Sequence, residues 1–494
     1  MKKSVFIFVI LTVTFAITGC PEGGGGGPPP PPTRKFWAQN ADNEKFYQLD
    51  AELLAENTRC RVWVEKGSGV TAATANSVAN EYANNIYNKM LNNFGWDVKV
   101  NNMNTMEYAH YFATGETNNA KLTILLLDIK DGYKSGENES YVAGYFWPYD
   151  FLLPTNTPQG YKSNVLDMIY IDTNPGLSDG KINEVYMTLA HEMQHFMNFT
   201  SSIAYRVTNN TIYAMETWID EGLSSAAEWV YSGKHIADKV DWFSNNGNGD
   251  NLIGDINKGN NFYVWGNREQ GNQYAILDDY ATVYLFFQWL RLQSHDSIYK
   301  EIIKSPSTDK QAVINAFNAK NISGATYSSW EGMLKDWLKA NVINSDTGRE
   351  GYKGDSTLKG IKISYAPQGT TTLGLYSGEG VYSYSASNPS YSPSGNIKYE
   401  YLNTEKTLLT YNSNTVNSVD KNTNINTLIE VGTTTGNIKP SVIIIKSGNF
   451  DTKLGPSKIS GPFPIGMGDV IRMNNNGNRF SFDSFPLERV FINE

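Results

Sequence analysis

Two histidines and a glutamate stand at a spacing that suits metal-assisted hydrolysis. They are His191, Glu192 and His195, an H-E-x-x-H motif within the stretch TLAHEMQHFMNF. On a helix, residues four positions apart lie on the same face, so the two imidazoles can be directed at one point. Imidazole nitrogens suit zinc, and Glu192 would stand beside the metal, where it can take the proton of a zinc-bound water. The motif therefore predicts a zinc site with two histidine ligands and Glu192 as general base.

The residues around this motif predict a helix. Apolar side chains recur at steps of three and four, at Ile182, Val185, Leu189, Met193 and Phe196. The Ser-Asp-Gly stretch at 178–180 provides an N-cap region. His191 and His195 fall opposite the apolar stripe, so we expect the stripe in the core and the histidines at a cleft. The alternative is a surface helix with two solvated histidines and no metal.

A second helix is predicted over the stretch TWIDEGLSSAAEW and the residue that follows it. Its apolar stripe consists of Ile219, Leu223, Ala226 and Val230. Glu221 and Glu228 fall on the opposite face, where a carboxylate would supply the third zinc ligand and water the fourth. Glu216 and Asp220 compete for this role, although a solvated helix face is the expectation for both. Gly222 costs a helix about 1 kcal/mol relative to alanine, which predicts the close approach of a neighbouring helix.

The two segments together resemble the gluzincin metallopeptidases. The similarity is greatest to the hyicolysin-type family of secreted bacterial neutral metallopeptidases. In gluzincins, the H-E-x-x-H helix is followed by a Trp-x-Asn-Glu-Gly-type segment whose Glu binds zinc. Matched residue by residue, the resemblance implies one Zn²⁺ per chain held by His191, His195 and Glu221, with Glu192 as the base. In layout it covers roughly residues 36–344, and only the two helical motifs are specific.

The same resemblance has implications for residues outside the proposed zinc ligands. Asp220 stands where the family usually has Asn, a mild departure from the pattern. Glu228 matches a recurrent Glu, which implies that it orients a ligand rather than binding zinc itself. Related gluzincins also place a Tyr hydroxyl near the scissile carbonyl, where it stabilises the oxyanion. Tyr280 fits that position best, ahead of Tyr274 and Tyr284, although most tyrosines of this chain must be structural.

The N-terminus predicts export and lipidation. Lys2 and Lys3 precede an apolar run at residues 5–17, which is too short to span a membrane and is typical of a signal peptide. The run ends in ITGC, which resembles the bacterial lipobox. This implies a lipoprotein signal peptide at residues 1–19, diacylation of Cys20 and attachment to a membrane of the bacterial cell envelope, at its periplasmic face or the cell surface. The Gly and Pro runs up to residue 34 form a tether. An ordinary signal peptide with an incidental cysteine is the alternative.

Charge and cysteine content limit the other possibilities. The net charge of −9 argues against a nucleic-acid partner, which would require a basic patch. Besides Cys20, the chain has only Cys60, within the alternating run RCRVWVE, and we expect it to be a buried apolar residue of a strand. With the Cys20 thiol carrying lipid, Cys60 has no second free cysteine to pair with, so an intramolecular disulfide is not expected in the mature chain. A thiol catalyst is also disfavoured.

The order of segments predicts two domains of an α+β protein. Residues 35–353 would form a gluzincin-type metallopeptidase domain, a mixed sheet with helices that carry the zinc site. Strands are predicted in KLTILLLDI, SYVAGYFWPYDF and VLDMIYID, and a helix is predicted over Tyr82–Phe94. After the two motif helices, helical segments continue to about Val342. The Asn-, Gly- and Asp-rich stretch between Ser244 and Asn261 has the composition of a calcium-binding loop, but its spacing does not match an EF-hand. We therefore expect a surface or cleft-lining loop. Residues 354–494 would form a β-sandwich-like domain, because short alternating runs dominate there.

These expectations converge on a membrane-anchored zinc metallopeptidase that acts on proteins or peptides. The Gly-x-Met-Glu-Asn segment by which aminopeptidases of the gluzincin group hold the substrate amine is not found in the sequence. An endopeptidase is therefore favoured over an aminopeptidase. The alternative from another class is a surface lipoprotein that binds protein or glycan ligands through its β domain, with peptidase activity minor or lost.

Overall fold

The structure, a computed structural model, describes part of the chain. The described residues are 30–43, 45–95, 121–135, 140–151, 154, 157, 159–177, 181–208, 211–245, 256–259, 275–321, 326–367, 370, 372–385, 395–402, 406–413, 419–424, 470–473, 479–482 and 490–491. Cys20 and the Gly/Pro tether as far as residue 29 lie outside them, as do Tyr274 and most of the loop between Ser244 and Asn261.

The described helices are as follows: α1 (Ala72–Glu81), α2 (Tyr87–Phe94), α3 (Ile182–Tyr205), α4 (Thr217–Ser232), α5 (Ala237–Ser244), α6 (Ala275–Gln293), α7 (Ile298–Ile303), α8 (Lys310–Lys320) and α9 (Trp330–Ile343). A π-helical turn, Tyr82–Ile86, joins α1 to α2, and 3₁₀ turns occupy Pro148–Phe151, Ile256–Lys258 and Leu358–Gly360. None of the helices among the described residues has the length and apolar content needed to cross a bilayer.

The described strands are β1 (Thr33–Gln39), β2 (Phe46–Glu56), β3 (Cys60–Glu65), β4 (Leu122–Leu127), β5 (Ser140–Val142), β6 (Gly144–Phe146), β7 (Met168–Asp172), β8 (Val207–Thr208), β9 (Thr211–Ile212), β10 (Thr372–Tyr376), β11 (Gly380–Tyr384), β12 (Ile397–Leu402), β13 (Thr407–Asn412), β14 (Val419–Asn424), β15 (Val470–Met473), β16 (Arg479–Phe482) and β17 (Val490–Phe491).

The N-terminal half is built on a mixed sheet in the order β1-β2-β3-β4-β7-β6. Strands β3, β4 and β7 are parallel, and Ile124 of β4 aligns with Val62 on one side and Ile169 on the other. All six residues of β4 are buried, as expected for a parallel strand covered on both faces. This apolar run was recognisable as a buried strand from the sequence, and the mixed α+β character predicted for the domain is present.

Two predicted elements differ from those observed. The helix expected from Tyr82 starts at Ala72, where Thr71 caps it by accepting a hydrogen bond from the Thr74 amide. Its buried positions in α1 are mostly alanines, which give only a weak apolar pattern. The strand expected over SYVAGYFWPYDF is divided into β5, β6 and a 3₁₀ turn. Strands β5 and β6 are separate because they pair with different partners, β15 and β7. The 3₁₀ turn begins at Pro148, which has no amide to donate to a sheet.

Helix α3 lies between the sheet and a second helix. It packs against β6 and β7 on one side and against α4 on the other. Because both sides are covered, the helix is buried around most of its circumference, including the face opposite the apolar stripe. Lys181 precedes the helix without a side-chain cap, and the predicted N-cap at 178–180 lies outside the described residues.

Gly222 is the contact point between α4 and α6. A Cβ added there would overlap the ring of Phe287, which is fully buried on α6. The close helix approach expected from this glycine is therefore present. It lets α4 lie against α6 while its other side faces α3.

The region after Gly354 packs directly on the helical region. The three-stranded sheet β11-β13-β12 faces α9, where the Tyr382 hydroxyl donates to the Leu338 carbonyl at 2.8 Å. Lys339 on the same helix pairs with Glu400 of β12 at 2.7 Å. A two-stranded sheet, β10-β14, is also described. This part is β-rich as expected, with small antiparallel sheets.

We predict that Gly222→Ala destabilises the protein by about 1–3 kcal/mol, the usual cost of overpacking a filled core. The added methyl group has to displace the buried Phe287 ring or separate α4 from α6. The free energy of unfolding in denaturant measures the effect. Gly332→Ala on α9 is the matched control, because its Cβ would meet Tyr327 Cδ1 at an ordinary 3.5 Å. Equal stabilities of the two variants would contradict the packing argument.

Candidate metal centre

Helices α3 and α4 bring two imidazoles and one carboxylate to a common point. The Nε2 atoms of His191 and His195 lie 3.7 and 3.5 Å from Oε2 of Glu221. Ligand atoms of all three residues lie within 4.8 Å of one another. Ligands about 2.1 Å from a tetrahedral zinc ion are separated by about 3.4 Å. The observed separations thus fit a zinc ion, and two nitrogens with one carboxylate oxygen are a donor set that zinc accepts.

The local sequence explains why these atoms converge. His191 and His195 are one helical turn apart on α3, and their ring centroids are 4.9 Å apart. Glu221 stands in the second turn of α4, on the side that faces α3. All three side chains are buried, and His195 is the most exposed at 8 %. Two neighbouring helices therefore provide a preformed ligand set.

A buried ion pair stands behind His191. The Nδ1 atom of His191 is 2.8 Å from Oε1 of Glu228, and the Lys239 ammonium group donates to the same oxygen at 2.7 Å. Lys239 also donates to Ser225 Oγ at 2.9 Å. Burial on its own would raise the pKa of Glu228, but the charge of Lys239 and the hydrogen bond with His191 hold that pKa below its ordinary value. Glu228 is therefore a carboxylate that receives the Nδ1 proton of His191.

His195 is held in a similar way by a different set of groups. Its Nδ1 lies 3.0 Å from Oδ2 of Asp220 and 3.1 Å from Oγ of Ser224. Asp220 also receives a hydrogen bond from Asn198. The expectation that Asp220 belongs to a solvated helix face was wrong, because α4 turns this carboxylate toward α3.

These contacts set the tautomers of both imidazoles. A carboxylate at Nδ1 favours the proton on that nitrogen, which leaves the lone pair of Nε2 for a metal. Both Nε2 atoms face Glu221, so the available lone pairs meet at the same place. Glu228 contacts His191 through the nitrogen remote from Glu221, which agrees with an orienting position rather than a ligand position.

The remaining predicted residues have distinct surroundings. Glu192 lies on α3 next to the first histidine and is fully buried. Glu216 is half-buried and accepts the indole N–H of Trp218 at 2.7 Å. Tyr280 is buried on α6, with its ring centre 5.7 Å from the Lys239 ammonium nitrogen. The Tyr284 hydroxyl is engaged by the Ile236 amide and by Nδ1 of His235, each at 3.0 Å, and is therefore a poor oxyanion donor.

Cys60 is buried in β3, as expected from the sequence. Burial raises the pKa of its thiol to about 12. A thiol in this state is not ionised near neutral pH, and the thiolate is the form that acts as a nucleophile. Cysteine-based catalysis at this residue is therefore disfavoured.

Sequence reasoning missed Ser224 and Lys239. Ser224 could have been found by its spacing, since it is one turn beyond Asp220 on the same face of α4. Lys239 offered no such signal, because it belongs to a separate helix, α5, whose orientation depends on the turn after Gly233.

Comparison with known proteins agrees with this geometry. The chain is similar to the neutral metalloprotease ShpI of Staphylococcus hyicus, with 28 % identity over 351 residues, or 68 % of this chain and 70 % of that protein. No family model matches the chain. The similarity and the cluster of two histidines with one glutamate support a place among the metallopeptidases.

Proposed function

We propose that the protein is a zinc-dependent metalloendopeptidase of the gluzincin type, most like the hyicolysin-type family. The observation that carries this proposal is the convergence of two Nε2 atoms, 3.7 and 3.5 Å away, on one oxygen of Glu221. The similar protein from Staphylococcus hyicus bears the name of a neutral metalloprotease, which supports the same reaction class. The substrates would be proteins or peptides.

The metal and the side chains of the protein would carry out different parts of the reaction. When bound by His191, His195 and Glu221, zinc would polarise the peptide carbonyl and lower the pKa of the attacking water to about 7. The carboxylate of Glu192 takes a proton from that water as it attacks and delivers it to the leaving amine. Glu228 and Asp220 hold the imidazoles in the tautomer that binds metal. Tyr280 is the proposed donor to the oxyanion.

We predict that Glu192→Gln folds normally, retains about one zinc per chain and loses hydrolysis by roughly 10²–10⁴-fold. Glutamine keeps the size of the side chain but cannot accept the proton. The substrate should be a peptide acetylated at its N-terminus and amidated at its C-terminus, so that only internal cleavage is detected by mass spectrometry.

The wild-type protein and its metal-free form are the controls for this measurement. Unimpaired cleavage by the variant would contradict the role of Glu192. Wild-type protein that removes N-terminal residues from free peptides but leaves the blocked peptide intact would instead indicate an aminopeptidase.

Tyr280→Phe is expected to lower the catalytic rate by roughly 10²–10³-fold with zinc retained, the loss typical of one oxyanion donor. Tyr299→Phe is the matched comparison, because Tyr299 is also fully buried and its hydroxyl donates to the Phe287 carbonyl at 3.2 Å rather than to a group of the proposed site. It should affect stability more than the rate of the folded enzyme. Equal rates for wild-type and Tyr280→Phe proteins would remove Tyr280 from the mechanism.

We further propose that Cys20 is lipidated and that this anchors the enzyme to the bacterial cell envelope. The motivation is the ITGC sequence at the end of an apolar signal-like run, followed by a Gly/Pro tether. Cys20→Ala should abolish incorporation of labelled fatty acid and move the protein to the aqueous phase of a detergent partition. Cys60→Ala is the control. Persistent labelling of Cys20→Ala would disprove lipidation at this residue.

A further inference from the structure

We propose that Lys239 is a positioning residue for the metal centre, which acts on the ligand His191 through Glu228. This role rests on the proposed zinc site. The central observation is that a single oxygen, Oε1 of Glu228, is shared by Nδ1 of His191 at 2.8 Å and the Lys239 ammonium group at 2.7 Å. The lysine therefore fixes the particular oxygen that orients the imidazole.

Several neighbouring groups hold the ammonium group of Lys239 in position. Ser225 accepts a second hydrogen bond at 2.9 Å. The rings of Tyr280 and Tyr284 face the charge, with centres 5.7 and 5.9 Å from Nζ, distances at which a cation is attracted to an aromatic face. Lys239 is only 2 % exposed. An ammonium group enclosed in this way has little freedom to leave Glu228.

The helix that carries Lys239 is itself anchored. Tyr284 accepts the amide of Ile236, the residue immediately before α5, and bonds Nδ1 of His235. Nε2 of His235 is in turn 3.0 Å from Asp355, beyond the end of α9. The start of α5, and with it the position of Lys239, is thus held by α6 and by the segment after Gly354.

Without the lysine, Glu228 would have other positions open to it. Removal of the cation leaves a buried carboxylate with less compensation, which is a strongly unfavourable arrangement. The carboxylate would then turn toward whatever donors or cation it can reach, including the metal, and His191 would lose the acceptor that fixes its ring. Loss of such an orienting partner typically weakens metal binding by 10–100-fold.

Lys239→Met tests the role, since it keeps the length of the stem and removes the charge. We expect zinc affinity, measured by competition with a chelator, to fall by 10–100-fold, and zinc release to be faster. Replacement of zinc by cobalt gives a second readout. The visible absorption of bound Co²⁺ reports ligand geometry, and we expect it to change in Lys239→Met.

Lys339→Met is the matched control for loss of a paired lysine. Lys339 on α9 bridges Glu350 and Glu400, and none of its described ion pairs involves the proposed zinc ligands or their partners. It should reduce the stability of the metal-free protein without changing zinc affinity or the cobalt spectrum. If Lys239→Met does not fold, Lys239→Gln replaces it in this test, because glutamine keeps a hydrogen-bond donor but carries no charge. The zinc affinity of Lys239→Gln should also fall.

A double-mutant cycle tests whether Lys239 acts through Glu228. In a Glu228→Gln background, Lys239→Met should cause no further loss of zinc affinity, because the carboxylate it positions is gone. Unchanged zinc affinity and cobalt spectra in both Lys239 variants, or fully additive losses in the cycle, would overturn the role of Lys239 alone. Wild-type protein that binds no zinc would overturn the proposed function together with it.

Discussion

The packing of α3 against α4 is the contact on which the candidate metal centre depends. One helix supplies two imidazoles a turn apart, and the other supplies the carboxylate that they face and both carboxylates that orient them. A shift of either helix along its axis would separate all of these pairs together. The sheet packed on α3 and helix α6 packed on α4 keep the two helices in register. Gly222 allows the close contact of α4 with α6, because it has no side chain that would push them apart.

The centre also concentrates negative charge in the interior. Glu192, Glu221 and Glu228 are each at most 2 % exposed, and the buried cation Lys239 pairs with Glu228. Buried carboxylates are tolerated only when they are paired, hydrogen-bonded or bound to metal. A divalent cation between the two imidazoles and Glu221 would offset much of the remaining charge. The charge distribution and the ligand geometry therefore favour the same occupant.

Much of this arrangement could be predicted because it follows from the spacing and polarity of residues that are close in the sequence. The spacing of His191 and His195 determines a shared helix face, and the apolar run of β4 determines a buried strand. Asp220 and Lys239 could not be assigned correctly, since their roles depend on how two helices pack and how a turn directs a third. The early start of α1 was missed because small alanines give little periodicity. The division of the strand at residues 140–151 depends on tertiary packing as well as on Pro148.

The chain segment from His191 to Lys239 contains the proposed ligands and the side chains that directly orient them. The parallel strands of the sheet, by contrast, join residues 62 positions apart between β3 and β4 and 45 positions apart between β4 and β7, as in the pairs Cys60–Leu122 and Thr123–Met168. Contacts between nearby residues form with little loss of loop entropy, whereas parallel pairing over long separations is slow. The helix pair is therefore suited to form before the parallel strands pair. Metal captured at that stage would guide the later docking of the sheet.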